Sequence, residues 1–429
     1  MTKDLYSPNF DAPVATRAIA ATVELPGSKS LTNRELVLSA LATAPTHLTG
    51  ALVSRDSALM IAALEGLGAK ISGAGTTSPT VEPATLDADT SIDCGLAGTV
   101  MRFVPPISVL NRGTTRFDGD EAARKRPMNT TIESLRALGA EVENNDGALP
   151  FSVRGLGECR GGEITIDASS SSQFVSGLLL VAPRFENGLT VRHEGEHLPS
   201  LPHIEMTLQC LRERGVSVSE PEPFVWRVEP GPIAGGAKSI EPDLSNAGPF
   251  LAAAMVAGGS VTIPHWPSVT TQVGDEFDGI LQQMGAEIVR DDRGLTITGT
   301  GEINGIDIDL SIGGELAPVI AGLAVLASSE SRLRGIAHLR GHETDRLAAL
   351  ATEINRIGGD CEETEDGLII RPSGNLHGAL WHTYEDHRMA TTGAIIGLRV
   401  PGIEIENIGT TAKTMPNFVS LWNQMLGIA

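Results

Sequence analysis

The chain has 429 residues, 41% of them hydrophobic, with 48 glycines, 25 prolines and a formal net charge of −21. That length exceeds the ~250–300 residues at which a single core stops growing, so about two domains are expected, and the glycine and proline content fits a turn-rich α/β chain. So acidic a balance argues against a nucleic-acid surface and against an anionic membrane, both of which need clustered cations, and no stretch approaches the ~18 uninterrupted apolar residues of a spanning helix.

The first residues, Met1-Thr2-Lys3-Asp4-Leu5-Tyr6, lack a basic region leading into an apolar one, so nothing points to secretion. Residues 1–25 read as a lead-in with one strand, Ala21-Thr22-Val23-Glu24-Leu25, broken at Pro26-Gly27. A helix follows, with a serine cap and apolar residues at Leu31, Leu38 and Leu41. Lys29 therefore sits at a helix N-terminus. Free N–H groups and the positive end of the dipole already favour an anion there, and Ser28, Ser30 and Arg34 add donors to the same spot.

Taken alone, that is an ordinary capped helix start. Repetition changes its weight. Turn-then-helix stretches begin near Ser28, Gly95, Ser169, Ser245, Gly313 and Asp386, and each runs into a small apolar helix such as Phe250–Ala257 or Val319–Ala327. Each is accompanied by an amphipathic helix ending at a glycine C-cap, at Gly68, Gly139, Gly215, Gly285, Gly358 and Gly427. The period of ~70 residues predicts six structural repeats that mix helices and strands, three to a domain. Gly73–Pro79 reads as a turn region, and Pro221-Glu222-Pro223 and Pro230-Gly231-Pro232 as turns inside the third repeat. The crossing into the second half is placed at Ile240-Glu241-Pro242-Asp243.

Six lysines are present, and Lys29 and Lys413 lie in turns, as do Arg34, Arg102, Arg126, Arg346 and Arg388. An acidic protein that places its cations at turns and helix starts suits a small polyanion held in an internal cleft by charge-assisted, partly bidentate bonds. Arg136, Arg212 and Arg290 are read instead as surface ion pairs of little worth. Acid and base candidates are Glu315, Glu343, Asp386, His342 and His387. No metal set is visible, because His342 and His387 belong to different repeats and neither His-Glu-x-x-His nor a cysteine cluster occurs. No cofactor is expected, and the lack of a Gly-x-x-x-x-Gly-Lys-Ser/Thr loop argues against nucleotide-driven phosphoryl transfer. Four scattered cysteines, Cys94, Cys159, Cys210 and Cys361, form no disulfide framework and are expected to be reduced and mostly buried in a cytoplasmic protein.

Several stretches together carry a resemblance. They are Leu25-Pro26-Gly27-Ser28-Lys29-Ser30 with Asn33-Arg34, Gly98-Thr99-Val100-Met101-Arg102, Arg126-Pro127 and Ser171-Ser172-Gln173-Phe174. The second half adds Glu343-Thr344-Asp345-Arg346-Leu347, Asp386-His387-Arg388-Met389-Ala390 and Thr411-Ala412-Lys413-Thr414. From about Leu25 to Phe418 the chain resembles the 5-enolpyruvylshikimate-3-phosphate synthases, a family of enolpyruvyl transferases. The resemblance implies transfer of the enolpyruvyl group of phosphoenolpyruvate to the 5-hydroxyl of shikimate 3-phosphate, with release of phosphate. It also implies an inverse α/β barrel fold: two similar domains with helices inside and sheets outside, a cleft between them, and two crossing strands. The N-terminal domain would span residues 26–242, and residues 1–25 plus 243–429 would form the other. A monomer is expected, with the phosphonate glyphosate as a competitor.

By resemblance, Lys29, Ser30, Arg34, Ser171, Ser172, Gln173, Ser200, Glu315 and His342 bind shikimate 3-phosphate. Lys29, Gly98, Arg126, Gln173, Arg346, Arg388 and Lys413 surround phosphoenolpyruvate. Lys29, Glu315, Glu343 and His342 carry the catalysis, Glu315 as base for the 5-hydroxyl and Glu343 as proton donor and acceptor at the methylene carbon. Four positions depart from the family pattern: Leu96 for Asn, Phe103 for Pro, His342 for Lys and His203 for Tyr. The alternative on the same fold is enolpyruvyl transfer to UDP-N-acetylglucosamine, whose mobile loop usually bears a cysteine that Asp120–Arg126 lacks. A non-catalytic polyanion-binding protein would need the cations but not Glu315, Glu343 and His342 together.

Overall fold

The computed structural model describes residues 9–144, 146–195 and 197–428; Met1–Tyr6, read above for a leader, lie outside them. Among the described residues twelve α-helices follow one another as α1 (Lys29–Ala40), α2 (Arg55–Gly66), α3 (Gly98–Ser108), α4 (Asn129–Ala137), α5 (Gln173–Val181), α6 (Leu201–Glu213), α7 (Leu244–Ala257), α8 (Phe277–Gln283), α9 (Ala317–Val325), α10 (Arg346–Arg356), α11 (His387–Gly397) and α12 (Phe418–Leu426). The odd-numbered helices are the turn-then-helix stretches and the even-numbered ones end at the capping glycines. All six of those glycines, from Gly68 to Gly427, have positive φ, a backbone that a side chain resists. No helix among the described residues is long and apolar enough to cross a membrane.

The chain divides into two compact units, Gly27–Glu241 and Met1–Pro26 with Pro242–Ala429. In the first, α1, α3 and α5 form the core. Nearly every residue of α3 and α5 is buried, so neither helix presents a solvent face, and the Thr99, Arg102 and Ser108 side chains of α3 are buried with the rest. Gly177 lets α5 touch α3 backbone to backbone, since a Cβ there would lie 2.2 Å from the Arg102 carbonyl oxygen. Three four-stranded sheets cover this core, each with the same plan. In the second repeat Thr90–Asp93 runs parallel to Thr114–Asp118, which pairs antiparallel with Phe151–Arg154, itself antiparallel to Glu141–Asn144.

The first repeat lacks such a leading strand of its own and takes it from the end of the unit. Gly236–Ser239 pairs parallel with Thr46–Thr49 and so closes the ring of repeats. The other unit solves the same problem from the opposite end of the chain, with Ile19–Thr22 parallel to Gly259–Ile263. Its core is α7, α9 and α11, and α7 is buried from Leu244 to Val256.

Two local expectations shift. The lead strand runs Ile19–Thr22 rather than Ala21–Leu25, because its partner begins at the Gly258-Gly259 corner. Pro221 and Glu222 belong to a strand, Val218–Glu222, and the turn falls after them at Pro223-Phe224. That strand pairs on one side only, where a proline's missing N–H costs little. Arg136, Arg212 and Arg290 do form surface ion pairs, with Glu133, with Glu205, and with Asp275 and Asp278.

Candidate active site

In the unit Gly27–Glu241 the helix starts gather cations and hydroxyls. Gly27 is needed at the entry to α1, since a Cβ there would fall 1.8 Å from the Gly50 carbonyl oxygen. Ser28 then caps the helix by accepting the Leu31 N–H. Lys29 opens α1 with its Nζ 3.7 Å from Asp56 Oδ2. One turn on, Asn33 Nδ2 donates to Thr99 Oγ1 at 2.7 Å and ties the second turn of α1 to the first turn of α3.

Arg34 is fully buried. It donates to Thr207 Oγ1 (2.8 Å), to the His203 carbonyl oxygen (2.8 Å) and to the Ser30 carbonyl oxygen (3.0 Å), and its guanidinium lies over the Phe103 ring at 5.2 Å. It braces α1 against α6. Phe103, where the family pattern has proline, thus supplies a face for that cation. Ser200, the residue before α6, has a left-handed backbone, φ 55°, and its side chain makes no capping bond to the helix.

Arg126 and Gln173 meet at the start of α3. A Cβ on Gly98 would sit 3.0 Å from Gln173 Oε1 and 3.3 Å from Arg126 Nη1, so a side chain there would crowd both groups against this N-terminus. Arg126 Nε and Nη1 and Gln173 Oε1 are buried with no partner among the described residues, an unusual state for such polar groups. The loop before Arg126 is pinned by Arg124, which grips Asp118 with two bonds of 2.9 and 2.7 Å, and by Arg55 on Asp120 at 2.8 Å. The Arg124 bond holds the Asp118 carboxyl below its ordinary range. On the far side, Arg102 Nη2 donates to the Pro127 carbonyl oxygen at 3.3 Å, and Ser171 Oγ accepts the Gln173 N–H at 3.3 Å.

The other unit holds the carboxylates. Glu343 lies between two cations: Lys413 Nζ donates to its Oε1 at 2.5 Å and Arg346 Nη2 to its Oε2 at 3.0 Å. Arg346, first residue of α10, is fixed from behind by Asp386, through Nε to Oδ2 at 2.7 Å and Nη2 to Oδ1 at 3.2 Å. Burial alone would push this guanidinium towards neutrality, but the Asp386 and Glu343 charges outweigh it and hold the group above its usual range. Asp386, fully buried, also accepts the Arg388 N–H at 2.9 Å as the cap of α11.

His342 Nδ1 faces Arg346 Nη1 at 3.2 Å. A guanidinium only donates, so Nδ1 accepts here and the ring carries its proton on Nε2. Glu315 accepts from Ser245 Oγ at 2.8 Å, and His338 packs against the preceding Gly314, where a Cβ would meet its Nε2 at 2.5 Å.

Gly98, Arg126, Gln173 and Ser171 thus come together in one unit, and His342, Glu343, Arg346 and Lys413 in the other. Ser245 carries a role that sequence reasoning missed, although it stands in the first turn of the fourth helix start, two residues after the cap Asp243. Asp386, read as an acid or base candidate, is the anchor of Arg346.

The family model described as EPSP synthase (3-phosphoshikimate 1-carboxyvinyltransferase) matches residues 14–422. A 3-phosphoshikimate 1-carboxyvinyltransferase of Kocuria rhizophila is 54% identical over 420 residues, covering 95% of this chain and 94% of that protein. Two structures of EPSP synthase from Acinetobacter baumannii superpose with TM-scores of 0.79 and 0.78 at 26% identity, over 97% of this chain and 97% and 98% of theirs. A motif order shared over the whole length, the matching α/β architecture and this degree of identity lead to one conclusion: the chain belongs to the EPSP synthase (3-phosphoshikimate 1-carboxyvinyltransferase) family.

Proposed function

We propose that the chain transfers the enolpyruvyl group of phosphoenolpyruvate to the 5-hydroxyl of shikimate 3-phosphate and releases phosphate, by addition and elimination through a tetrahedral intermediate. The observation that carries this reading is Glu343 held between Lys413 and Arg346, a proton carrier in contact with two cations suited to phosphate and carboxylate. Shikimate 3-phosphate is assigned to Lys29, Ser30, Arg34, Ser171, Ser172, Gln173, Ser200, Glu315 and His342, with Arg34 acting through its brace on Ser30 and α6. Phosphoenolpyruvate is assigned to Lys29, Gly98, Arg126, Gln173, Arg346, Arg388 and Lys413. Arg126 and Gln173, with buried atoms unpartnered at a helix N-terminus, support that assignment.

Anionic groups of phosphoenolpyruvate compete with Glu343 for Lys413 and Arg346; the carboxylate so released takes up a proton from solvent, which it can then deliver to the methylene carbon. Protonation at C3 by Glu343 accompanies attack of the 5-hydroxyl oxygen on C2, while Glu315, oriented by Ser245, takes the hydroxyl proton. Glu343 then removes a proton from the new methyl group as phosphate departs and the enol ether forms. The cations around the phosphate stabilise the charge it carries away. The working form is a cytoplasmic monomer that needs no cofactor, and glyphosate competes with phosphoenolpyruvate. UDP-N-acetylglucosamine as acceptor is not favoured, because Asp120–Arg126 lacks a cysteine and the family match is to the shikimate enzyme. Glu343→Gln tests the assignment: both substrates should still bind, while single-turnover phosphate release falls at least about a hundredfold. Release near the wild-type rate would remove Glu343 from the chemistry.

A further inference from the structure

The turn that delivers Asp386 is held by contacts none of these roles uses. Tyr384 and Glu385 both have left-handed backbones, φ 53° and 58°, a conformation that side chains with a Cβ resist, here in two consecutive residues. Something must hold the turn in this shape. The Tyr384 hydroxyl donates to Glu353 Oε1 at 2.6 Å, and the His382 N–H donates to Glu353 Oε2 at 3.1 Å. Glu353 is fully buried, with Arg356 Nε closing its ion pair at 3.0 Å. A carboxylate is costly in such a place unless its bonds serve a purpose.

Glu353 lies on α10 two helical turns beyond Arg346, and therefore on the same face. One helix grips both ends of the turn: Glu353 holds His382 and Tyr384, and Arg346 holds Asp386. We propose that Glu353 and Tyr384 are positioning residues that fix Asp386, and through it Arg346 and Arg388, and so set the affinity for phosphoenolpyruvate. This rests on the assignment of Arg346 and Arg388 to that substrate. The contacts of Glu353 run through the backbone and hydroxyl of the turn and not to any group that reacts, so its effect falls on binding more than on turnover.

The test is steady-state kinetics of Tyr384→Phe, Glu353→Gln and Glu353→Ala, with amide hydrogen exchange of the unliganded wild type and Tyr384→Phe. Tyr384→Phe should raise KM for phosphoenolpyruvate about tenfold or more, with kcat within about threefold and KM for shikimate 3-phosphate within about twofold. Glu353→Gln, which keeps one acceptor oxygen, should fall between wild type and Glu353→Ala. The amides of His382, Asp386 and Arg388 should exchange at least about tenfold faster in Tyr384→Phe. Unchanged exchange at these amides would overturn the proposal. So would equal rises in both KM values accompanied by a lower melting temperature, which would mark a merely structural contact. If the wild type transfers no enolpyruvyl group, the functional reading fails, while the exchange result still decides whether the clamp orders Asp386.

Discussion

At the scale of single residues, Arg126 offers a separation of function from stability. Two of its guanidinium nitrogens are buried without a partner, so removing them relieves a desolvation cost. Arg126→Ala should therefore melt at the wild-type temperature or above, by calorimetry, while KM for phosphoenolpyruvate rises about tenfold or more. A lower melting temperature with unchanged KM would make Arg126 a structural residue. His342 gives a second case. It stands where the family pattern has lysine, but its Nδ1 accepts from Arg346, which a lysine could not do. His342→Gln, which still accepts, should keep steady-state activity within about threefold; His342→Lys, which cannot accept and adds a like charge beside Arg346, should lose about tenfold or more. Equal activity in the two variants would dismiss the acceptor role. The cysteines give a third. All four are buried, and burial, with nearby carboxylates adding to it, pushes the Cys94 and Cys361 thiols up to about 12. The folded protein should be inert to a thiol reagent at pH 8 and release all four equivalents only on unfolding.

At the scale of elements, helix starts and helix ends were legible in the sequence because each has a local cause. Ser28 caps α1 and Gly68 ends α2 through backbone geometry that neighbouring residues determine. Strand partners were less legible. The pairing of Gly236–Ser239 with Thr46–Thr49 joins segments far apart in sequence, and neither carries a local mark of its mate. The buried polar network of α1 was equally hidden. Arg214 and Glu35 form a buried ion pair, and Arg214 also donates to Thr46 Oγ1, the Ala234 carbonyl oxygen and Ser39 Oγ. This joins α1, the end of α6, the first strand and the segment leading to the closing strand. Glu35→Ala should strand the guanidinium and cost about 3–5 kcal/mol in urea denaturation, and adding Arg214→Met should recover a large part of it. A single variant within about 0.5 kcal/mol of wild type would mean that the network adds nothing to closure of the unit.

At the scale of the whole molecule, six repeats solve one packing problem six times. Each contributes an apolar helix to a core, and its N-terminus is then available for an anion. Residue types at those starts and in the turns before the other helices divide the labour: hydroxyls, Lys29 and Arg126 in one unit, Glu315, Glu343, Arg346 and Lys413 in the other. The proposed reaction draws on both sets, so Lys29→Ala and Lys413→Ala should each cut turnover by orders of magnitude with the fold intact. The most direct measurement is phosphate release by the wild type, with the organic product followed by proton magnetic resonance. Phosphoenolpyruvate and shikimate 3-phosphate together should release phosphate and yield an enol ether at the 5-oxygen in equal amounts, with neither substrate reacting alone. Phosphate release from phosphoenolpyruvate alone, or enol ether formation only when UDP-N-acetylglucosamine is the acceptor, would contradict the account.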